Sequence, residues 1–332
     1  MVKPFFSILI PVCNQVGKMD RCVETLRGQT FPDFEVICVD DGSTDGSWAM
    51  LQGFQQADGR FRSIRHEKNG SLVAARITGM KEARGEYVLF VDSDDYVEKG
   101  MLEILHRKLT EHPVDILRFG FAMEPDWGDK PPLVTDDPLL AFLESRETAA
   151  IWKRAYSGRL IRRALEKISP FYCNMGEDTF FSSVFFSLAE SVDQTEEILY
   201  HYETGGMSSV GKRISKEKLA RALASAAASA KHTLAFLEAN NPGYLTPARR
   251  AVRFISRYIV WLAINAEPEL DGAVDMLFQI PRDEGDDDLF RFACRKLLYY
   301  KVEKLVTNNA CAKSVEEFMA FLSEDIDNSS QG

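Results

Sequence analysis

The sequence predicts an α/β fold: a mostly parallel sheet with helices on both faces, followed by an α-helical region. Three observations predict it. Continuous apolar runs alternate with amphipathic stretches over residues 5–123, and such unbroken runs mark strands buried on both faces. Carboxylates close two of the runs, as Asp40-Asp41 and as Asp92-Ser93-Asp94-Asp95. These are carboxyl strand ends, where open parallel sheets take their ligands. From Lys216 onward the composition turns Ala-rich with helical spacing.

The elements follow in order. Phe5 to Val12 is an unbroken apolar strand, and Met19 to Arg27 a helix with Val23 and Leu26 facing inward. Phe34 to Val39 is the second strand. Gly42-Ser43-Thr44-Asp45 forms a turn that caps a helix from Ser47 to Gln56. Phe61 to Arg65 is a short strand, and Ser71 to Arg84 a helix stopped by Gly85. Tyr87 to Val91 is a strand, Lys99 to Glu111 a helix, and Asp115 to Met123 a strand. Pro125 to Pro138, rich in Pro, Asp and Gly, reads as a loop or lid insertion. Thr148 to Ile168 carries Lys153, Arg154, Arg159, Arg162, Arg163 and Lys167 and reads as a basic helix. Asn174 to Ala189 opens on Gly176-Glu177-Asp178 and becomes an apolar helix; Ile198 to Tyr202 is a last strand. Helical segments follow over residues 216–239, 247–266, 270–279, 287–306 and 314–323, punctuated by Pro242, Pro268 and Pro281. The expected domains are therefore residues 1–210, a helical domain over 211–323, and a flexible tail over 324–332.

Composition narrows the classes. The chain has 332 residues, 45% hydrophobic and 27% charged, as in ordinary globular proteins. A net charge of -10 argues against a nucleic-acid polymer as partner. The six cysteines are scattered without a C-x-x-C, which suits a reducing compartment and suggests no zinc site. The first residues enter a strand directly, with no signal-peptide layout, and no apolar run approaches 18 residues. A cytoplasmic location is expected. Arg249, Arg250, Arg253 and Arg257 beside Phe254 and Ile255 leave a peripheral contact with the inner membrane face open, against the alternative of a solvated helix face. A homodimer is also left open.

The acidic run carries the chemistry. Three carboxylates within four residues repel one another, at a cost beside a buried strand unless a cation neutralises them. Hard divalent ions such as Mn²⁺ and Mg²⁺ favour that oxygen cluster. No G-x-x-x-x-G-K-[ST] and no G-x-S-x-G is present, and Pro11-Val12-Cys13-Asn14 stands where a G-x-G-x-x-G would follow the first strand. Phosphate handling then rests on a metal and on basic side chains.

Five motifs in one order resemble the family 2 glycosyltransferases, which have the GT-A fold. They are Ser7 to Asn14, Val39 to Asp45, Ala75-Arg76 before Gly79, Gly85 to Asp95, and Gly176-Glu177-Asp178; the resemblance covers residues 5–210. It implies an inverting transfer of a sugar from a nucleoside-diphosphate sugar, a UDP-sugar favoured, to a saccharide or lipid-linked hydroxyl acceptor. Bacterial surface polysaccharide or lipopolysaccharide synthesis is the setting it implies most often. It further implies nucleotide contacts at Pro11, Asn14, Asp41, Arg76, Asp92 and Ser93, a metal ligand in Asp94, and a general base in Asp178 with Glu177 beside it. Trp152, Lys153 and His201 fall on its acceptor side. Two positions depart from the family's pattern: Cys13 stands where an aromatic commonly stacks on the base, and Ile77 where an Asn commonly follows the Arg. A nucleotidyltransferase and a catalytically degenerate sugar-nucleotide binder or scaffold are the rival readings.

Overall fold

The computed structural model describes residues 3–123, 127–129, 135–144, 146–203, 216–249 and 251–252. The first strands are β1 (Phe6–Val12), β2 (Phe34–Asp40), β3 (Phe61–Arg65), β4 (Tyr87–Phe90) and a short β5 (Tyr96–Val97). Helices α1 (Asp20–Arg27), α2 (Ser47–Ala57), α3 (Leu72–Glu82) and α4 (Met101–Glu111) connect or follow them. Beyond lie β6 (Ile116–Met123), β7 (Trp127–Asp129), α5 (Pro138–Leu143), β8 (Arg154–Ser157), α6 (Gly158–Leu165), α7 (Glu177–Leu188), β9 (Val192–Tyr202) and α8 (Lys216–Asn240).

The strands form one sheet in the order β3-β2-β1-β4-β8-β6-β9-β5, with β7 paired to β6. The half from β3 to β4 is parallel, as expected from its apolar strands. β8 runs antiparallel to both β4 and β6, and β9 parallel to β6, so the whole sheet is mixed.

Side-chain alternation along the strands divides the core in two. Phe6, Ile8, Ile10, Val36, Cys38 and Leu89 pack with Val23 and Leu26 of α1 and Leu102 and Leu105 of α4. Leu9, Ile37, Val39, Val88 and Phe90 pack on the other face with Val73 and Ile77 of α3, Leu160 of α6 and Phe181 and Phe185 of α7. Helices therefore cover both faces.

Residues 148–168 are not one helix. A 3-10 turn (Ile151–Lys153) leads into β8, and only α6 is helical. Tertiary demands override the helical pattern here. Ala155 and Tyr156 fill the sheet between β4 and β6. Lys153 and Arg154 are fully buried around Glu147, at 3.6 and 2.8 Å, and Arg118 reaches the same carboxylate at 2.6 Å. Ser157 then restarts helix by accepting from the Leu160 N–H.

The last strand begins at Val192 rather than Ile198, and irregular register near Gly120 lets it follow β6 along most of that strand's length. The chain divides into two compact units, residues 1–210 with 221–256, and residues 211–220 with 257–332. The helical segments expected after residue 252, and half of the insertion at Pro125 to Pro138, lie outside the described residues, as do Arg250, Arg253 and Arg257; within that expected loop, β7 forms a short strand on β6.

Candidate active site

Parallel pairing brings three strand ends to one edge. Val12 pairs with Asp40 and Leu9 with Phe90, so the residues after β1, β2 and β4 emerge together. The ladder persists past the strands: the Asp41 N–H donates to Val12 O and the Val91 N–H to Leu9 O.

At the end of β1, Pro11 is half-buried and Asn14 adopts left-handed backbone, φ 54°. The Asn14 Oδ1 accepts from the Thr44 N–H at 2.9 Å, locking the end of β1 to the turn after β2. That turn needs glycine at 42. Its φ is +69°, and a Cβ there would sit 2.6 Å from the Asn69 nitrogen.

Asp40 and Asp41 are both buried. Asp40 accepts from the Ser43 N–H and pairs with Arg65. Asp41 organises the loop between β3 and α3. It accepts from the Gly70 and Ser71 N–H groups at 2.8 Å each and meets His66 Nδ1 at 2.7 Å; His66 Nε2 reaches Thr78. Ser71 is held there at φ 91°, an uncommon conformation that this surrounding bonding sustains.

The Asp92–Asp95 run is a turn between β4 and β5, closed by Asp95 N–H to Asp92 O. Its carboxylates have separate duties. Asp95 is buried and accepts from Tyr200 Oη at 2.6 Å and the Glu203 N–H at 2.8 Å. The same Tyr200 hydroxyl accepts from the Asp92 N–H, so one tyrosine orients the turn. Burial, with Asp92 nearby, pushes Asp95 up to about 8. Ser93 is buried and Asp94 half-exposed.

Arg76 is the centre of the site. Its side chain on α3 is 1% exposed, and its guanidinium meets three carboxylates. One nitrogen donates to Glu177 Oε1 at 2.8 Å and Asp178 Oδ1 at 2.6 Å, the other to Asp92 Oδ1 at 3.1 Å. Two strand and helix ends far apart in sequence thus share one cation. Such charge-assisted contacts are short and directional. One positive charge does not balance three negative ones. Burial first, with Asp178 and Asp94 adding, raises Asp92 to about 6 in spite of Arg76. Burial likewise raises Glu177 to about 7. Asp178 is the more open of the pair, its side chain 26% exposed against 8% for Glu177.

The sequence folds this way because α3 and α7 are tied at their starts. Asn174 Oδ1 caps α3 at the Leu72 N–H at 2.7 Å, and Val73 N–H donates to Cys173 O. Gly176, at φ 82°, turns the chain into α7, where the helix N-terminus favours the acids at 177 and 178. Ser229 of α8 donates to Gly176 O at 2.6 Å, and Ser225 accepts from the Asn174 N–H.

The three residues expected on the acceptor side make contacts of their own. Trp152 is buried and stacks on Tyr200 at 4.5 Å. Lys153 lies in the buried cluster around Glu147. His201 pairs with Glu98 at 2.6 Å and stacks on Tyr96. Period-two alternation along β9 sends Tyr200 toward the acidic turn and His201 away from it, and that signal points to Tyr200, which motif reading passes over. His66, Asn69 and Asn174 carry no motif signal; their roles depend on long-range contacts.

A hard divalent cation fits the donor set only with help from a ligand. Among the described residues no group of three or more His, Cys, Asp or Glu is placed to hold a metal alone. Asp95 is buried against Tyr200 and Asp92 lies against Arg76, whereas Asp94 is half-exposed in the same turn, at the position that the family resemblance gives to the metal. One or two carboxylates completed by substrate phosphates and water is the ordinary Mg²⁺ mode. No helix among the described residues is long and apolar enough to cross a membrane.

Comparison with known proteins agrees with this architecture. The Glycosyl transferase family 2 model matches residues 7–168. The chain is 32% identical over 260 residues to EpsH of Bacillus subtilis (strain 168), covering 73% of this chain and 71% of that one. It is 32% identical over 213 residues to the uncharacterized glycosyltransferase EpsJ of the same organism, covering 60% of this chain and 61% of EpsJ. The chain thus spans somewhat under two thirds of EpsJ. The crystal structure of S. aureus TarS 1-349 superposes with a TM-score of 0.59 at 20% identity, covering 93% of both chains. The chain belongs to glycosyl transferase family 2, and its sheet domain has the GT-A fold.

Proposed function

We propose that the chain is an inverting, metal-dependent glycosyltransferase. It moves a sugar from a nucleoside-diphosphate sugar, a UDP-sugar first, to a hydroxyl of a saccharide or lipid-linked acceptor in surface polysaccharide assembly. The observation that carries this reading is Arg76 holding Asp92, Glu177 and Asp178 within one hydrogen-bonded cluster. Structures of similar fold are complexes with these ligands: S. aureus TarS 1-349 with UDP and with UDP-GlcNAc, and the mannosyltransferase PcManGT from Pyrobaculum calidifontis with GDP-Man and Mn²⁺, which supports a nucleotide-sugar donor. One similar sequence, 44% identical over 113 residues, is the poly(ribitol-phosphate) beta-glucosyltransferase of Bacillus spizizenii, which supports a cell-surface polymer as setting.

The residues divide the work. Asp94 would hold a divalent cation on the donor diphosphate, and such a cation, when bound, offsets charge growing on the leaving group. Asp178, the open carboxylate, takes the proton of the acceptor hydroxyl. That oxygen bonds to the anomeric carbon as the bond to the diphosphate breaks on the opposite face, which inverts the centre. Arg76 aims Asp178 through the hydrogen bond to its Oδ1, and Glu177 buttresses the guanidinium from the buried side.

Steady-state kinetics test the base. Asp178→Asn should lower kcat on the order of 10²–10⁴-fold with donor affinity unchanged, and Glu177→Gln should be milder. Near-native kcat in Asp178→Asn, with a large loss in Glu177→Gln, would move the base to Glu177.

A further inference from the structure

We propose that Tyr172 is the stacking platform for the nucleobase of the donor, an assignment that rests on the nucleotide-sugar reading above. Tyr172 is 56% exposed, the one aromatic among the large exposed apolar side chains of the described residues. An exposed tyrosine ordinarily keeps its rotamer freedom. This one is fastened at its tip. Its hydroxyl donates to Asn69 Oδ1 at 3.2 Å and accepts from Asn174 Nδ2 at 3.3 Å.

Both tethers lead to the site. Asn69 Nδ2 donates to the Asp41 carbonyl at 3.1 Å and lies 3.3 Å from Cys13 Sγ, so a single amide joins Tyr172 to the ends of β1 and β2. Asn174 caps α3, the helix that carries Arg76. The preceding residue is anchored too: Phe171 stacks on His232 at 3.9 Å, and its carbonyl accepts from Ser71 Oγ. The loop thus holds an open aromatic ring, fixed at its hydroxyl, at the sheet's ligand edge. Cys13, at the end of β1, has no ring to offer. Every base presents a π face, and stacking on an aromatic side chain is tolerant of base identity. Acceptor sugars also stack on aromatics. The hydroxyl of Tyr172 donates to Asn69, whose amide reaches Asp41 and Cys13 at the ends of β2 and β1, and this tie favours the base.

Calorimetry in the presence of Mn²⁺ separates the possibilities, with UDP, GDP and inorganic pyrophosphate as probes on the full chain. Tyr172→Ala should weaken UDP and GDP about tenfold or more and leave pyrophosphate unchanged. Tyr172→Phe, which keeps the ring, should retain most of the nucleotide affinity. Unchanged UDP affinity in Tyr172→Ala overturns the stacking role alone. So does an equal loss for pyrophosphate, which reports a structural effect, or an effect confined to acceptor KM. A native chain that binds pyrophosphate but neither UDP nor GDP overturns the nucleotide reading and this assignment together.

Discussion

Asp41 and Asp92 both stand just past an apolar strand on one edge of the sheet, and they are bonded in opposite ways. Asp41 gives its carboxylate to two main-chain N–H groups and to His66, all within the loop between β3 and α3. Asp92 gives its carboxylate to Arg76, which in turn holds Glu177 and Asp178 from a helix that begins 85 residues later in the chain. The first acid builds a loop. The second joins two halves of a site through a shared cation. A carboxylate at a strand end therefore does not declare its duty; its partners do.

Breaking the shared cation should have the largest effect on folding. Arg76→Met leaves three acids clustered without their counter-charge, and removing one partner of a buried ion pair typically costs about 3–5 kcal/mol. Urea denaturation checks this: a midpoint equal to that of the native chain would mean that the carboxylates do not depend on Arg76. Asp41→Asn should cost less, about 1–3 kcal/mol, because one acceptor oxygen becomes an amide facing N–H donors. The same measurement serves, and a cost above that of Arg76→Met would reverse the contrast between the two acids.

Much of this was legible beforehand. Unbroken apolar runs placed β1 to β4 and β6, because strands buried on both faces show little else. The acids at 41, 92, 94, 177 and 178 stood out as charges beside such runs. What stayed hidden was set by distant partners. Lys153 and Arg154 look like the solvated side of a basic helix, yet Glu147 neutralises them inside the core, and a strand forms where the local pattern favours helix. Arg76 reads as a ligand-facing cation, and its three carboxylate partners come from positions 16 to 102 residues away. Tyr200 hid beside the more conspicuous His201, although its hydroxyl is the one that touches the acidic turn.

Asp94 offers the most direct test of the central claim, that this edge of the sheet binds a nucleoside diphosphate through a metal. It is half-exposed in the turn after β4, and urea denaturation checks that Asp94→Ala is folded. Calorimetric titration of UDP with and without Mn²⁺, on the native chain and on Asp94→Ala, reads the claim. The native chain should bind UDP in a Mn²⁺-dependent way, and the folded variant should lose that binding. Equal Mn²⁺-dependent affinity in both proteins would contradict it.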